Sequence, residues 1–189
     1  MAIEKPSLLE TSLDDDDTAT FLYGVAKEDR ARKHIWNISD NSRAWEDSPS
    51  FRAYLRSDFG KHCLYIAHRG ETRLGVFGML NLSDYADCAN ILIWIDKSVR
   101  KRLVAMKWFL QFLIVAQERQ IAHWYARIKV ENRASVEASE RFGFVLCGEI
   151  PDHILFRNPD NEGVRCVCRG TRFNSFERKY LSRYMPEVL

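Results

Sequence analysis

Residues 89–146 read ANILIWIDKSVRKRLVAMKWFLQFLIVAQERQIAHWYARIKVENRASVEASERFGFVL, and the order of periodicities in this stretch decides the fold. Asn90–Ile95 is a continuous apolar run, the pattern of a strand covered on both faces. From about Ser98 to Arg119 the period becomes that of a long helix. Its polar positions, Arg100, Lys107, Gln111 and Glu118, fall on one narrow stripe, and nearly everything from Leu103 to Val115 is apolar. Such a helix is buried around most of its circumference. A sheet covers only one side of it, so its other flank needs the chain's own C-terminal segment or a partner, a second copy included. His123–Val130 then reads as a strand. Ala134–Arg141 is a short helix broken at Gly143, and Phe144–Cys147 is a further strand.

Working outward toward the N-terminus, His62–Ala67 reads as a strand, Arg69–Thr72 as a turn and Leu74–Leu82 as the returning strand. Gly75 and Gly78 within it point to close packing or a bulge. Ser83–Asp87 is a loop. A helix starts near Asp47 or Ser48 with Pro49 in its first turn, presents Phe51, Tyr54, Leu55 and Phe59, and ends at Gly60. An earlier helix carries Phe21, Leu22 and Val25, with Thr18 or Thr20 as its cap. It continues as an exposed charged face over 27–33, and Trp36 and Ile38 close the segment. Residues 1–17 form a partly extended acidic segment whose run Asp14–Asp17 reads as a solvated loop. Toward the C-terminus, Asn158–Gly163 is a polar turn and Val164–Arg169 a last strand. A C-terminal helical extension, 173–189, carries Phe176, Tyr180 and Tyr184 on one side. The expectation is an α/β (α+β layered) domain over 1–189, with a mixed, mostly antiparallel central sheet flanked by helices.

Composition narrows the function classes. Of 189 residues, 46% are hydrophobic and 12% aromatic, enough for a substantial core. A net charge of +2 argues against nucleic-acid binding by bulk charge. No apolar run approaches the ~20 residues of a membrane span. The N-terminal residues lack the basic start and apolar middle of a signal peptide. Five cysteines, three of them in apolar stretches, fit free thiols in a reducing, cytoplasmic setting. Cys166 and Cys168 alternate on one side of a strand, but no second pair accompanies them, so no zinc site is expected. Arg169, Arg172, Arg178, Lys179 and Arg183 read as a solvated basic face.

Residues 89–146 resemble the GNAT superfamily of acyl-CoA N-acyltransferases. There a buried strand leads into a phosphate-binding loop, Arg/Gln-x-x-Gly-x-Gly/Ala, at the start of the long helix, and a second, splayed strand follows. After it come an Asn at the start of a short helix and a Gly-Phe. Here the strand is Ile91–Ile95 and the loop is Arg100-Lys101-Arg102-Leu103-Val104-Ala105. The motif closes with Asn132-Arg133-Ala134-Ser135 and Arg141-Phe142-Gly143-Phe144. The resemblance implies acetyl-CoA as co-substrate, with its phosphates at the helix N-terminus. It implies Ile93, Trp94 and Ile95 along the pantetheine arm, and Asn132 and Ser135 as further cofactor-binding positions. Three cations at a helix N-terminus are either a solvated turn or a sign that an anion belongs there.

Two positions depart from the family pattern. Leu103 stands where the first loop glycine would be. Ser139 stands seven residues after Asn132, where many members carry a tyrosine that protonates the leaving thiolate. The resemblance thus implies catalytic positions at Ser139 and Asn132, with Asp84, Asp96 and Glu131 as nearby carboxylates for the amine's proton. The implied reaction is acetyl transfer to a primary amine on a small molecule or a protein. The alternative is a GNAT-fold binding or structural module, of the kind found among phage proteins, acting through protein contacts or as a homo-oligomer.

Overall fold

The computed structural model describes residues 6–27, 47–82, 87–100, 103–150 and 164–186, without the side chains of Pro6, Asp58, Phe59 and Ile150. In chain order the elements are β1 (Pro6–Thr11), α1 (Asp16–Lys27), α2 (Ser48–Phe59), β2 (Cys63–Arg69), β3 (Thr72–Leu80) and β4 (Cys88–Ile95). They continue as α3 (Leu103–Glu118), β5 (His123–Lys129), α4 (Arg133–Arg141), β6 (Val145–Ile150), β7 (Val164–Gly170) and α5 (Ser175–Tyr184). The strands form one seven-stranded sheet in the order β1-β2-β3-β4-β5-β7-β6. Every neighbouring pair is antiparallel except β4 and β5. The mixed, mostly antiparallel sheet with flanking helices is therefore the observed fold. The charged stretch 28–33, Trp36, Ile38 and the turn at 158–163 lie outside the described residues.

The N-terminal segment departs from its reading. Its apolar start is a full edge strand, paired with β2 from Pro6↔Arg69 to Thr11↔Leu64. The aspartates that follow are not a passive loop. Asp15 is the cap of α1, in place of Thr18 or Thr20: its carboxylate accepts from the Thr18 amide at 2.8 Å and from the Thr18 hydroxyl at 2.5 Å. An ionised acceptor suits the positive end of a helix better than a hydroxyl does. Asp14 pairs with Arg56, Asp16 with Arg52, and Asp17 with Arg73 at 3.6 Å. Those partners sit on α2 and β3, so the acidic run straps α1 down. The second helix follows its sequence signals: Asp47 caps it in a reciprocal arrangement with Ser50, Pro49 lies in its first turn, and Gly60 ends it at φ 55°.

Two apolar cores sandwich the sheet. On one face Leu22, Val25, Phe51 and Leu55 of α1 and α2 meet Leu64, Ile66, Val76, Leu92 and Trp94. On the other, Trp108, Phe109, Phe112 and Leu113 of α3 meet Tyr65, Phe77, Trp124 and Val167. Gly75 is required by this packing, because a Cβ there would stand 3.0 Å from the Trp94 carbonyl oxygen and 3.2 Å from Ala67 Cβ.

The helix α3 starts later than its periodicity suggests. Asp96 accepts from the Ser98 amide at 2.8 Å and the Ser98 hydroxyl at 2.5 Å, and this turn keeps 96–100 out of the helix. The exposed flank that the sequence leaves on α3 is closed by the chain itself. Tyr180, Leu181 and Met185, on and just after α5, join its core. The buried stripe of α5 is Glu177, Tyr180 and Leu181, while Phe176 and Tyr184 are exposed. A carboxylate takes the inner position because Arg169 of β7 meets it there. Arg169 donates to Glu177 Oε1 at 2.7 Å and Oε2 at 3.1 Å, with the two side chains 4% and 0% exposed. The expectation that Arg169 belongs to a solvated face is corrected accordingly.

Candidate active site

The parallel pair β4–β5 sets the site. It lasts for three residues only: Cys88↔His123, Ala89↔Trp124 and Asn90↔Tyr125. Beyond them β4 stays with β3 as far as Gly75↔Ile95, β5 stays with β7 as far as Lys129↔Val164, and the two strands part. The result is a wedge closed at Asn90 and Tyr125. At ~3.3 Å per residue, Ile91–Ile95 lines it with roughly 16 Å of strand edge. Among the described residues that edge has no strand partner, so its amides and carbonyls face the gap as hydrogen-bonding groups without a ladder. Because the two strands run parallel, α3 and α4 both begin at the open end of the wedge, and two positive helix ends converge on one mouth.

The residues singled out by sequence fall around this wedge as follows. Ile93, Trp94 and Ile95 lie past the last β4–β5 pair. Trp94 turns into the α1–α2 core, edge-on to Phe21 with ring centres 6.2 Å apart. Ile93 and Ile95 are half-buried against the α3 core. Arg100 is half-buried at the mouth and donates through Nε to the carbonyl of Ile95, folding the loop over the end of β4. Leu103 opens α3 with an exposed side chain, and its carbonyl accepts from the Tyr180 hydroxyl at 3.2 Å. Val104 is half-buried and Ala105 buried. Lys101, Arg102 and Asp84 lie outside the described residues.

Asn132 caps α4, its side chain accepting from the Ser135 amide at 3.4 Å. Gly143, at φ 77°, terminates that helix in the left-handed region, and the Phe144 amide reaches back to the Ser139 carbonyl at 3.0 Å. Phe142 stacks on Phe109 of α3 at 4.0 Å, and Arg169 donates to the Phe142 carbonyl. Phe142, just before the Gly-Phe pair, thus anchors the end of α4 to both α3 and β7.

Ser139 is placed differently from an exposed proton donor. It is 8% exposed, and its hydroxyl donates to the Val136 carbonyl at 2.7 Å. Of the carboxylates, Asp96 is held ionised, its carboxyl lowered first by the Ser98 hydroxyl and next by the Ser98 amide. Glu131 is half-buried in the turn before α4.

Tyr125 and His123 lie on β5. Strand alternation fixes their direction: Trp124 and Ile128 go under α3, while His123, Tyr125 and Arg127 are exposed on the opposite face. Cys166 and Cys168 share that face through the pairs Arg127↔Cys166 and Tyr125↔Cys168. Among the described residues, no group of three or more His, Cys, Asp or Glu is arranged to hold a metal ion, and no helix is long and apolar enough to cross a membrane.

Residues 8–145 match the family described as acetyltransferase (GNAT) domain. Among solved structures, the chain resembles a probable GNAT-family acetyltransferase from Chromobacterium violaceum, at 19% identity and a TM-score of 0.66 over 88% of this chain and 87% of that one. It resembles the spermidine N-acetyltransferase of Vibrio cholerae, solved with CoA and spermine, at 13% identity and a TM-score of 0.70 over 88% and 95%. It also resembles a Salmonella typhimurium acetyl transferase that modifies the N-terminal serine of the 50S ribosomal subunit protein L7/L12, at 19% identity and a TM-score of 0.64 over 87% and 95%. No curated protein matches the sequence.

Proposed function

The chain belongs to the GNAT acetyltransferase family, and from that premise we propose that it transfers the acetyl group of acetyl-CoA to a primary amine. The observation that carries this reading is the wedge, a strand edge left unpaired beside two converging helix N-termini. In this reading the whole chain, 1–189, is one cytoplasmic catalytic domain. The edge of Ile93–Ile95 that faces the wedge holds the pantetheine arm, apart from the Ile95 carbonyl that Arg100 already engages. The loop 100–105 and the first turn of α3 take the phosphates, with Arg100, Lys101 and Arg102 as their cations around Leu103, Val104 and Ala105. Asn132 and Ser135 set the start of α4 against the cofactor. Acetyl-CoA supplies an activated acyl group, so the protein's task is to hold it and to manage two protons, one leaving the amine and one reaching sulfur.

Calorimetric titration with acetyl-CoA tests the reading. Saturable binding, absent with ATP, is expected; no binding by well-folded protein at millimolar ligand overturns it. Spermidine and a peptide with N-terminal serine are the first amines to supply, since the similar structures are of enzymes acting on those two kinds of acceptor. A second reading, a binding module without transfer chemistry, is favoured by Ser139, whose buried hydroxyl is already engaged by Val136. Binding of acetyl-CoA with no release of coenzyme A in the presence of either amine would decide for it.

A further inference from the structure

We propose that Tyr125 is the catalytic proton donor to the departing sulfur, the role that the family pattern would put at position 139. This rests on the acetyl-transfer reading above. Three observations point the same way. First, Ser139 is short, nearly enclosed, and spends its proton on the Val136 carbonyl at 2.7 Å. Second, Tyr125 is the last residue of β5 still paired with β4, opposite Asn90. An arm laid along Ile91–Ile95 from the phosphate end at α3 has its reactive end where the wedge closes, and Tyr125 stands at that point. Third, the tyrosine is 41% exposed, and its hydroxyl has no hydrogen-bond partner among the described residues. Aromatic hydroxyls packed into the cores are tied down, as Tyr65 is by Arg119 at 2.9 Å and Tyr180 by the Leu103 carbonyl at 3.2 Å.

The proton balance closes on this one group. The lone pair of the amine nitrogen forms the new bond to the acetyl carbon, and the carbon–sulfur bond breaks with its electrons going to sulfur. The Tyr125 Oη–H proton passes to that sulfur, giving a thiol. The nitrogen, cationic once its bond has formed, then sheds one proton, which restores the phenol. A phenol and a thiol have similar intrinsic acidities, about 10 and 8.5 on the side-chain scale, so the transfer is nearly balanced.

The test uses Tyr125→Phe, which removes only the hydroxyl. Coenzyme A release and acetylated amine are measured with spermidine and with the N-terminal serine peptide. The substitution is expected to lower kcat about 100-fold, the low end of general-acid effects, with the acetyl-CoA Kd unchanged within about twofold by calorimetry. Ser139→Ala is expected to change kcat far less. An independent readout is nitration of the wild-type protein by tetranitromethane, mapped by mass spectrometry. Bound coenzyme A is expected to slow nitration of Tyr125 several-fold and leave Tyr184, 40% exposed on α5, unprotected.

Coenzyme A that binds without protecting Tyr125, or a Tyr125→Phe enzyme retaining more than a third of wild-type kcat, overturns the proposal and leaves the acetyltransferase reading standing. Wild-type protein that binds no acetyl-CoA removes the reading and the proposal together. Binding without release of coenzyme A by either amine decides for the binding module, and removes the transfer reading and the catalytic role with it.

Discussion

The two halves of the sheet are built on different terms. Strands β1–β4 lie between two apolar layers, with α1 and α2 above β2–β4 and α3 below. Among the described residues, β5 and β7 turn Trp124, Ile128 and Val167 into the α3 core, His123, Tyr125 and Arg127 stand exposed on the opposite face, and Val145–Glu149 of β6 is exposed throughout. A half packed on both sides can be held by burial, with surface ion pairs as trim. A half packed on one side has fewer apolar contacts to draw on, and here it carries the buried Arg169–Glu177 pair. The wedge lies on the seam between them, so one wall belongs to the half packed on both sides and the other to β5, whose face carrying His123, Tyr125 and Arg127 is exposed.

The largest expected effect sits in the one-sided half. Glu177→Ala strands a buried guanidinium, and should cost about 3–5 kcal/mol of folding free energy. Urea denaturation reads this, and a loss below about 1 kcal/mol would mean the pair behaves like a surface one. The double variant Arg169→Met/Glu177→Leu should recover much of the loss, because no charge is then left buried.

A middle-sized effect contrasts two glycines, one in each half. Gly75→Ala drives a methyl toward the Trp94 backbone oxygen in the two-sided half and should destabilise by about 1–3 kcal/mol. Gly148→Ala, on β6, meets nothing within 4 Å. It should be neutral or stabilising by less than about 1 kcal/mol, through the unfolded chain. Equal melting temperatures for the two variants would erase the contrast in packing.

The smallest effects belong to the acidic strap. The exposed pairs of Asp14, Asp16 and Asp17 should be worth at most about 1 kcal/mol each. Salt near 1 M should abolish that difference between the wild type and Asp14→Asn/Asp16→Asn/Asp17→Asn. The caps add a pH signature. Hydrogen bonds from the Thr18 and Ser50 hydroxyls, and then from their amides, hold the Asp15 and Asp47 carboxyls below their ordinary value of 3.8. A carboxyl whose folded value is depressed contributes stability that is complete above the unfolded value and fades as pH falls through the folded one. The wild type should therefore lose more stability below pH 3.8 than Asp15→Ala/Asp47→Ala does, with parallel curves at neutral pH.

How much of this was legible depended on how local each signal was. The helix with Asp47, Pro49 and Gly60 could be bounded almost to the residue, because a cap is satisfied by amides three positions away. The apolar surround of Leu103–Val115 announced a helix needing two partners, and α5 is the second. Asn174-x-x-Glu177 is a capping box that was open to reading, yet a second role for Glu177 was hidden. Its partner Arg169 is eight residues upstream on a different element. For the site, Ile93–Ile95 could be placed on a strand and Asn132 at a helix start. The direction of Tyr125 and the enclosure of Ser139 could not be placed.

By itself, the sequence determined the kinds of element, their order and most of their ends, since those follow from side-chain periodicity and from hydrogen bonds within a turn or two. Only the tertiary structure decided where β4 and β5 stop pairing, which face of β5 stays open, and which charges go inside. Each of those outcomes balances desolvation against partners that are distant along the chain, and such partners exist only once the layers have met.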